Sequence, residues 1–488
     1  MNIMENLALM KNVALLTILL PFLGAIITML VAAPLAKWVS QIFAGIAAFG
    51  VLVLAFLYRS SGQSTLHYTL FHIDNTEILG FTFDAVSTLT VIAVVILGFL
   101  VNIYSLGYMT ESNREHPHEA KPRYYAFLLI IIGAMAGLVL SSTFVGQLLF
   151  FEITSVCSWA LIGYYQKATS LKSALKALLV THFASIGLFV ATVIVFKETG
   201  TFSITALAQL SDQTKIIVFL GIMLAAWGKS AQLPLQFWLP ETMDSPTPVS
   251  AYLDAASMVK IGVYIFARAI LSAGEIPHII GVIGVIGAIL TMLYGFILYL
   301  PQKDMKRLLA YSTITQLAYI FLALSLSIFG SHLALESAVA YIFNHAFAKT
   351  LFFLVAGSLG YTCGTRMLPS LKGIIKTSPL LAVGFGVAAL AISGVPPFNG
   401  FFSKFPLFEA GFQLSQQHPW LIPVMLIALL ESVASFGWLL YWFGKTVLGN
   451  PSEAVQKASP LPISMKIVIV ILIIMSVFSS FIASTWLS

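Results

Sequence analysis

Apolar runs of about twenty residues, separated by short polar breaks, fill almost the whole chain, and a helix needs that length to cross a bilayer. The runs lie at about 13–33, 40–58, 84–107, 124–142, 145–165, 174–196, 216–239, 248–271, 278–300, 308–329, 334–360, 378–410, 420–443 and 464–486. Of 488 residues, 59% are apolar and 9% charged, against about 25% charged in a soluble domain. So few charges cannot cover a water-facing surface. A soluble globular protein is excluded, and an all-α polytopic membrane protein of about 14 transmembrane helices is expected.

Between the second and third runs, 62–80 is polar and alternating (Thr65, His67, Thr69, Phe71, Ile73), which predicts a small hairpin on the membrane surface. The longest polar loop, about 108–123, leaves no room for a soluble domain. Residues 1–12 hold Glu5 and Lys11 and no basic cluster. The first run is therefore expected to be a permanent helix, not a cleaved signal. Cys157 and Cys363 are too few for a disulfide framework or for an iron–sulfur cluster held by this chain alone. The formal net charge of +6 reflects loop lysines and arginines, not nucleic-acid binding.

The loops after odd-numbered runs hold sixteen Lys and Arg residues; those on the other side hold five: Lys11, Arg59, Lys197, Lys215 and Arg268. By the positive-inside rule the first set is cytoplasmic, which places both termini on the periplasmic side of a bacterial inner membrane. Lys306 and Arg307, after Gln302-Lys303-Asp304, are expected to face the cytoplasm.

Four lysines, Lys229, Lys260, Lys349 and Lys404, fall inside the runs. Each costs about 3 kcal/mol at the bilayer centre on insertion scales, and intramembrane charges mark ion paths. Lys229 lies in Trp227-Gly228-Lys229-Ser230-Ala231-Gln232-Leu233-Pro234, where Gly228 and Pro234 are expected to interrupt the seventh helix. Lys404 follows Ser393-Gly394-Val395-Pro396-Pro397-Phe398-Asn399-Gly400, where Pro396 and Pro397 are expected to interrupt the twelfth. Two broken helices five spans apart imply two inverted five-helix repeats, a transporter pattern. The expected organisation is helices 1–3 in 1–123, a first inverted repeat in 124–272, a second in 273–445 and a last helix in 446–488.

Burial disfavours a lysine's charged form and a nearby carboxylate restores it, so moving that carboxylate switches the lysine. Glu152 in the fifth run is the candidate carboxylate; a static Glu152–Lys229 ion pair is the structural alternative. His345 and Lys349, spaced i, i+4, share a helix face as a relay or a polar packing surface. His182 either carries protons or bonds a neighbour. Glu336, Glu409 and Glu431 stand as half-channel groups or structural acids. His116-Pro117-His118-Glu119 is a loop, not a metal site. Gly384-Phe385-Gly386-Val387-Ala388-Ala389 lies in an apolar run, so it is no nucleotide fingerprint. Gly133 and Gly137 read as close helix packing.

Residues 228–234, Trp238-Leu239-Pro240, 246–251, 255–260, 304–313, 344–349 and 396–404 resemble the antiporter-like subunits of respiratory complex I, Mrp-type cation/proton antiporters and membrane-bound [NiFe]-hydrogenases. Residues 113–118, 124–129, 146–154 and 400–408 are similar to component D of hydrogenase-4. That resemblance implies a membrane subunit of a formate hydrogenlyase-type complex that moves protons and has no catalytic site or cofactor of its own. Its partners would be the other hydrogenase-4 membrane subunits and a soluble arm holding the [NiFe] site and iron–sulfur clusters. It also implies a proton path through Glu152, Lys229, Lys260, His345, Lys349 and Lys404. Because the sequence ends soon after the last run, the largest complex I subunit, with its long lateral helix, is not the expected match.

The resemblance breaks at Leu253-Asp254-Ala255-Ala256, where the family commonly has histidine. Asp254 would hold a proton on Lys229 or carry protons itself. Three functions stay open: a proton-translocating hydrogenase-4 subunit, an Mrp-type Na⁺/H⁺ antiporter subunit, and a non-pumping membrane anchor.

Overall fold

The structure is a computed structural model and describes residues 3–487, with side chains from residue 8 onward. Helices α1 (Ile3–Leu30) and α2 (Ala33–Ser61) precede the antiparallel hairpin β1 (Leu66–Ile73) and β2 (Thr76–Phe83). The hairpin falls on the alternating segment. Asp74 in its turn takes φ +50°, which a short polar side chain tolerates. Across the strands His67 Nε2 lies 3.1 Å from Glu77, and this hydrogen bond raises the histidine's pKa. The pair is complete only where His67 is protonated and Glu77 ionised, so it is lost as pH rises through that raised value and again in acid strong enough to protonate Glu77.

The rest is helical: α3 (Ala85–Tyr108), α4 (Pro122–Leu140), α5 (Phe144–Ile162), α6 (Ala168–Thr199), α7 (Asp212–Lys229), α8 (Thr247–Ala251), α9 (Met258–Ser272), α10 (His278–Tyr299), α11 (Met305–Ser327) and α12 (His332–Cys363). Then come α13 (Ile374–Thr377), α14 (Pro379–Ser393), α15 (Phe401–Ser415), α16 (Leu421–Val447), α17 (Glu453–Gln456) and α18 (Ile463–Leu487). Among the described residues, 12 helical segments are long and apolar enough to cross a membrane, and each falls on an expected run. The expected runs not among them are the seventh and twelfth. Helix α7 carries Asp212, Lys215 and Lys229. The twelfth run is split into α14 and α15, each 15 residues and so about 22 Å long, by residues 394–400.

By contacts the chain forms two units. One comprises residues up to 102, 121–230 and 257–280. In it α4 packs on α1, α2, α5 and α9. Gly133 and Gly137 do not form one seam. A Cβ at Gly133 would lie 2.7 Å from the Ile18 carbonyl of α1, and one at Gly137 2.4 Å from the Phe150 ring of α5. Where α6 crosses α7, Gly187 and Gly221 meet backbone to backbone; a Cβ on either would lie within 2.5 Å of the other's carbonyl oxygen.

Two basic residues expected in outer loops belong to this unit's helices. Lys215, in α7, is buried and donates to the carbonyls of Ala273 (2.9 Å) and Glu275 (2.7 Å). Arg268, in α9, is buried and forks onto Asp84, with Nη2 to Oδ1 at 2.9 Å and Nη1 on Oδ2. Asp84 also accepts from the Ser87 amide (2.8 Å) at the start of α3. Tyr264 bonds Arg268 (3.1 Å) and donates to the Val139 carbonyl of α4 (2.5 Å). Counting charges along a sequence misses this, because a long basic side chain at a helix end can turn inward to a buried acceptor.

The other unit comprises 103–120, 231–256 and 281–488. Its axis is α12, buried from Ala334 to Cys363 apart from Leu335, Glu336 and Ala340, and packed by α8, α11, α14, α15 and α18. At one end, Arg366 joins Glu115 (3.0 Å), Asp304 (2.8 Å) and Asp244 (3.7 Å), while Asp304 caps α11 by accepting from the Lys306 amide (2.9 Å).

Removing one partner of a buried ion pair costs about 3–5 kcal/mol because the other charge is left stranded. Arg268→Met should therefore lower unfolding stability in detergent by about 3 kcal/mol, and adding Asp84→Asn should restore much of the loss. A double variant no more stable than Arg268→Met would contradict this account.

Candidate functional site

Each intramembrane lysine owes its position to an interruption or a packing seam. Helix α7 ends at Lys229, just before Ser230 and Ala231 (φ +49°), and the chain continues through 3-10 turns at Gln236–Asp244. The fully buried Lys229 Nζ donates to Ser155 Oγ (2.5 Å) and the Phe151 carbonyl (3.2 Å), and lies 4.2 Å from the centroid of the Phe151 ring. Its place at a helix C-terminus favours a cation. Glu152 is not bridged to it. Glu152 bonds His182 Nδ1 of α6 at 3.0 Å. The direct Glu152–Lys229 ion pair is thus absent among the described residues, and His182 is the histidine that takes its place.

The eighth span is also interrupted, which the sequence did not signal. Helix α8 passes into a π-helical turn, Tyr252–Ala256, and α9 starts after Ser257. No Gly or Pro marks it; the only sign is Asp254 inside an apolar run. Such turns insert an extra residue into a helix and recur at functional sites. Asp254 is buried in it, and Lys306 is the charged group that acts on it. Lys306 itself does not face water as expected. It is fully buried in the first turn of α11 and donates to the Ser245 carbonyl at 2.7 Å. Lys260, in the first turn of α9, is buried on a helix packed against α7.

On α12, His345 and Lys349 are both buried and one turn apart. Lys349 Nζ donates to Ser312 Oγ of α11 at 2.6 Å. The His345 ring lies 6.1 Å from that of Tyr341, which stacks on Tyr319 (6.4 Å, 12°) and donates to Gln316 Oε1 (2.5 Å).

Helix α14 closes at Gly394 with φ +80°, and Pro396-Pro397 lie in the loop to α15. Lys404, in the first turn of α15, is buried; Nζ donates to Ser432 Oγ of α16 (3.1 Å) and lies 4.6 Å from the Tyr319 ring centroid. A cavity of about 260 Å³ is lined by Lys404, Ser432, Ser393 and Gly394. The buried Glu431 accepts from Tyr319 Oη (2.5 Å) and from Ser435. Glu336 lines a second cavity of about 470 Å³ with Ser337 and Asn344, and Glu409 is exposed and accepts from Gln413 (3.2 Å). Among the described residues no three His, Cys, Asp or Glu side chains gather as metal ligands.

Glu152, Lys229 and Lys260 thus belong to one unit, and Asp254, Lys306, His345, Lys349, Lys404 and Glu431 to the other. Missed in the sequence were the groups that hold the lysines: Ser155, Ser312, Ser432, Phe151 and Tyr319. Nothing along the chain singles out these serines, because only the fold brings them to their lysines.

Residues 141–430, more than half the chain, match the family described as NADH:quinone oxidoreductase/Mrp antiporter, TM. Residues 73–125 match the N-terminus of complex I chain 5. Glu431 lies just beyond the first match. The chain is 34% identical, over 446 residues, to the A/B component of a probable K⁺/H⁺ antiporter of Rhizobium meliloti (89% of this chain, 43% of that protein). It is 31% identical, over 392 residues, to the A1 component of a Na⁺/H⁺ antiporter of Staphylococcus aureus (76% and 48%). The chain spans about half the length of these curated relatives. Its fold is that of a chain of the Mrp complex from a Dietzia species (TM-score 0.84, 24% identity, 97% of this chain and 51% of that one). It is equally that of a chain of an archaeal membrane-bound sulfane sulfur reductase (TM-score 0.83, 22% identity, 97% and 96%).

Gly394 is needed twice: its φ is left-handed, and a Cβ there would lie 2.8 Å from Lys404 Cδ. Gly394→Ala should lower stability by about 1–2 kcal/mol. Gly437→Ala on α16, where a Cβ meets nothing within 4 Å, should be neutral or stabilising. Thermal unfolding in detergent compares the two, and equal midpoints would refute the role given to Gly394.

Proposed function

Because the chain belongs to the NADH:quinone oxidoreductase/Mrp antiporter family of membrane subunits, we propose that it moves protons as one component of an Mrp-type cation/proton antiporter complex. One observation carries the reading: Lys229, Lys349 and Lys404 are buried, and each donates to a serine hydroxyl. A carboxylate partner would fix the lysine's charge. A hydroxyl accepts from an ammonium and donates to an amine, so the site stays satisfied in both protonation states. A lysine so held can load and unload a proton without stranding a partner.

In this mechanism Lys229 and Lys260 carry the proton in the first unit, and His345, Lys349 and Lys404 carry it in the second. Glu152 and His182 set the charge beside Lys229. Asp254 with Lys306 takes the place of the histidine common in the family. The cation-exchange reading is supported by the curated relatives, which are named as parts of K⁺/H⁺ and Na⁺/H⁺ antiporters. With the buried Lys306, Lys215 and Arg268 set aside, the loop charges still divide fifteen to three, which supports periplasmic termini in a bacterial inner membrane.

A second reading is a hydrogenase-4 subunit, favoured by residues 113–118, 124–129, 146–154 and 400–408. The first of these stretches supplies Glu115 to Arg366. The chain would then work beside partners holding [NiFe] and iron–sulfur centres, and redox energy would drive the same lysines.

Inverted vesicles carrying the assembled complex separate the readings, with lumenal pH followed by a dye. Under antiport, added Na⁺ or K⁺ dissipates a respiratory pH gradient, and Lys229→Ala should slow this about a hundredfold or more at equal assembly, as expected for loss of a positioned proton-transfer group. Formate-driven acidification with hydrogen evolution, and no cation effect, identifies the hydrogenase-4 reading instead. Proton movement equal in wild type and Lys229→Ala, or none in either, overturns the lysine path.

A further inference from the structure

The first unit has a carboxylate beside its lysine in Glu152; the corresponding question for Lys404 is which acid acts on it. The break at 394–400 places Lys404 at a cavity of about 260 Å³, with its ammonium on Ser432 Oγ. Ser432 also lies against the Tyr319 hydroxyl. That hydroxyl is 2.5 Å from Glu431 Oε2 and 2.6 Å from the Ala428 carbonyl, so its single proton has two acceptors in reach. The other oxygen of Glu431 accepts from Ser435. Lys404 Nζ thus reaches Ser432 and lies 4.6 Å from the Tyr319 ring centroid, and the Tyr319 hydroxyl reaches Glu431, so the four side chains run from a cavity to a buried carboxyl group.

A buried carboxyl this close to a lysine has a structural explanation, in which two hydroxyls simply satisfy it. The geometry of Tyr319 argues for more. A fixed structural acid needs no donor with a second acceptor. A donor that can turn from Glu431 to Ala428 suits a carboxyl that changes its protonation.

We propose that Glu431 is the acid–base partner of Lys404, and that the two exchange a proton through Ser432 and Tyr319 at the mouth of the cavity in the broken twelfth span. The proposal rests on the proton-moving function above and adds a residue outside the family-matched segment. The step balances. The Lys404 ammonium gives a proton to Ser432, Ser432 passes its own to Tyr319, and Tyr319 passes its own to the Glu431 carboxylate. An amine and a carboxylic acid replace an ammonium and a carboxylate, so no net charge is created in the membrane. The reverse relay returns the proton from Glu431 through Tyr319 and Ser432 to Lys404, which lines the cavity and releases it there.

The test uses the assembled complex in inverted vesicles, with proton movement normalised to the amount assembled. Glu431→Gln should slow it about a hundredfold, the lower end of what a positioned proton-transfer group contributes. Glu431→Asp should recover part of the rate. In a Lys404→Ala background Glu431→Gln should cause no further loss, since the two act as one unit. Tyr319→Phe keeps the ring over Lys404 and removes only the hydroxyl; it should slow transport too, and it carries the test if Glu431→Gln does not assemble. Transport within about twofold of wild type in Glu431→Gln, or in Tyr319→Phe, overturns the proposal while Lys404→Ala remains slow. Absence of transport in the wild type overturns instead the function on which it rests.

Discussion

A bilayer offers no water to an unpaired backbone group, and the break between α14 and α15 is held by neighbours that supply what the helix gives up. Asn399, in the break, bonds through its amide nitrogen to the Asn344 carbonyl and Ser479 Oγ, both at 2.9 Å. Its own N–H reaches the Ser476 carbonyl at 2.9 Å. Asn344 in turn donates to Ser403 Oγ (2.9 Å) and accepts from Ser479 (2.8 Å). The interruption is therefore stitched to α12 and α18, and the turn that aims Lys404 at its cavity is held firmly. With an apolar side chain in place of Asn399, the Asn344 carbonyl and Ser479 Oγ would each lose this donor where no water replaces it.

The same rule explains where charge is allowed. Full ion pairs occur where the chain leaves the apolar region: Arg268 with Asp84 at the start of α3, and Arg366 with Glu115 and Asp304 at the end of α12. There they anchor helix ends. Deeper in the helices Lys229, Lys349 and Lys404 have hydroxyls, rings and carbonyls as partners. The first kind of contact fixes geometry, and the second leaves protonation free to change. The chain segregates rigidity and reactivity by the kind of partner it gives each cation.

Much of this architecture is legible from residue order. Apolar runs mark the spans because crossing lipid demands unbroken hydrophobicity, and Gly228, Pro234, Pro396 and Pro397 mark two interruptions because they act on their own backbone. The π turn at Tyr252–Ala256 is illegible because nothing in those five residues forbids an ordinary helix; packing decides it. The inward turn of Lys306 is illegible because a first-turn lysine can reach out to water or inward to Ser245, and only the fold chooses. Glu152 stands out in the sequence as an acid inside an apolar run, but its partner does not, since His182 and Lys229 are equally plausible along the chain. Ser155, Ser312 and Ser432 escaped notice for the same reason: a serine becomes a proton-site partner by location, and locations far apart in sequence are invisible to a reading along it.

The one-turn spacing of His345 and Lys349 carries an electrical consequence. Four residues advance about 6 Å along a helix axis, roughly a fifth of a hydrocarbon core about 30 Å thick. For α12 standing near the bilayer normal, a proton that steps from one to the other crosses that fraction of the membrane potential, or about 0.5 kcal/mol per 100 mV. Under the proposed proton path such a step would act as a small voltage sensor, the membrane potential shifting the proton between the two side chains.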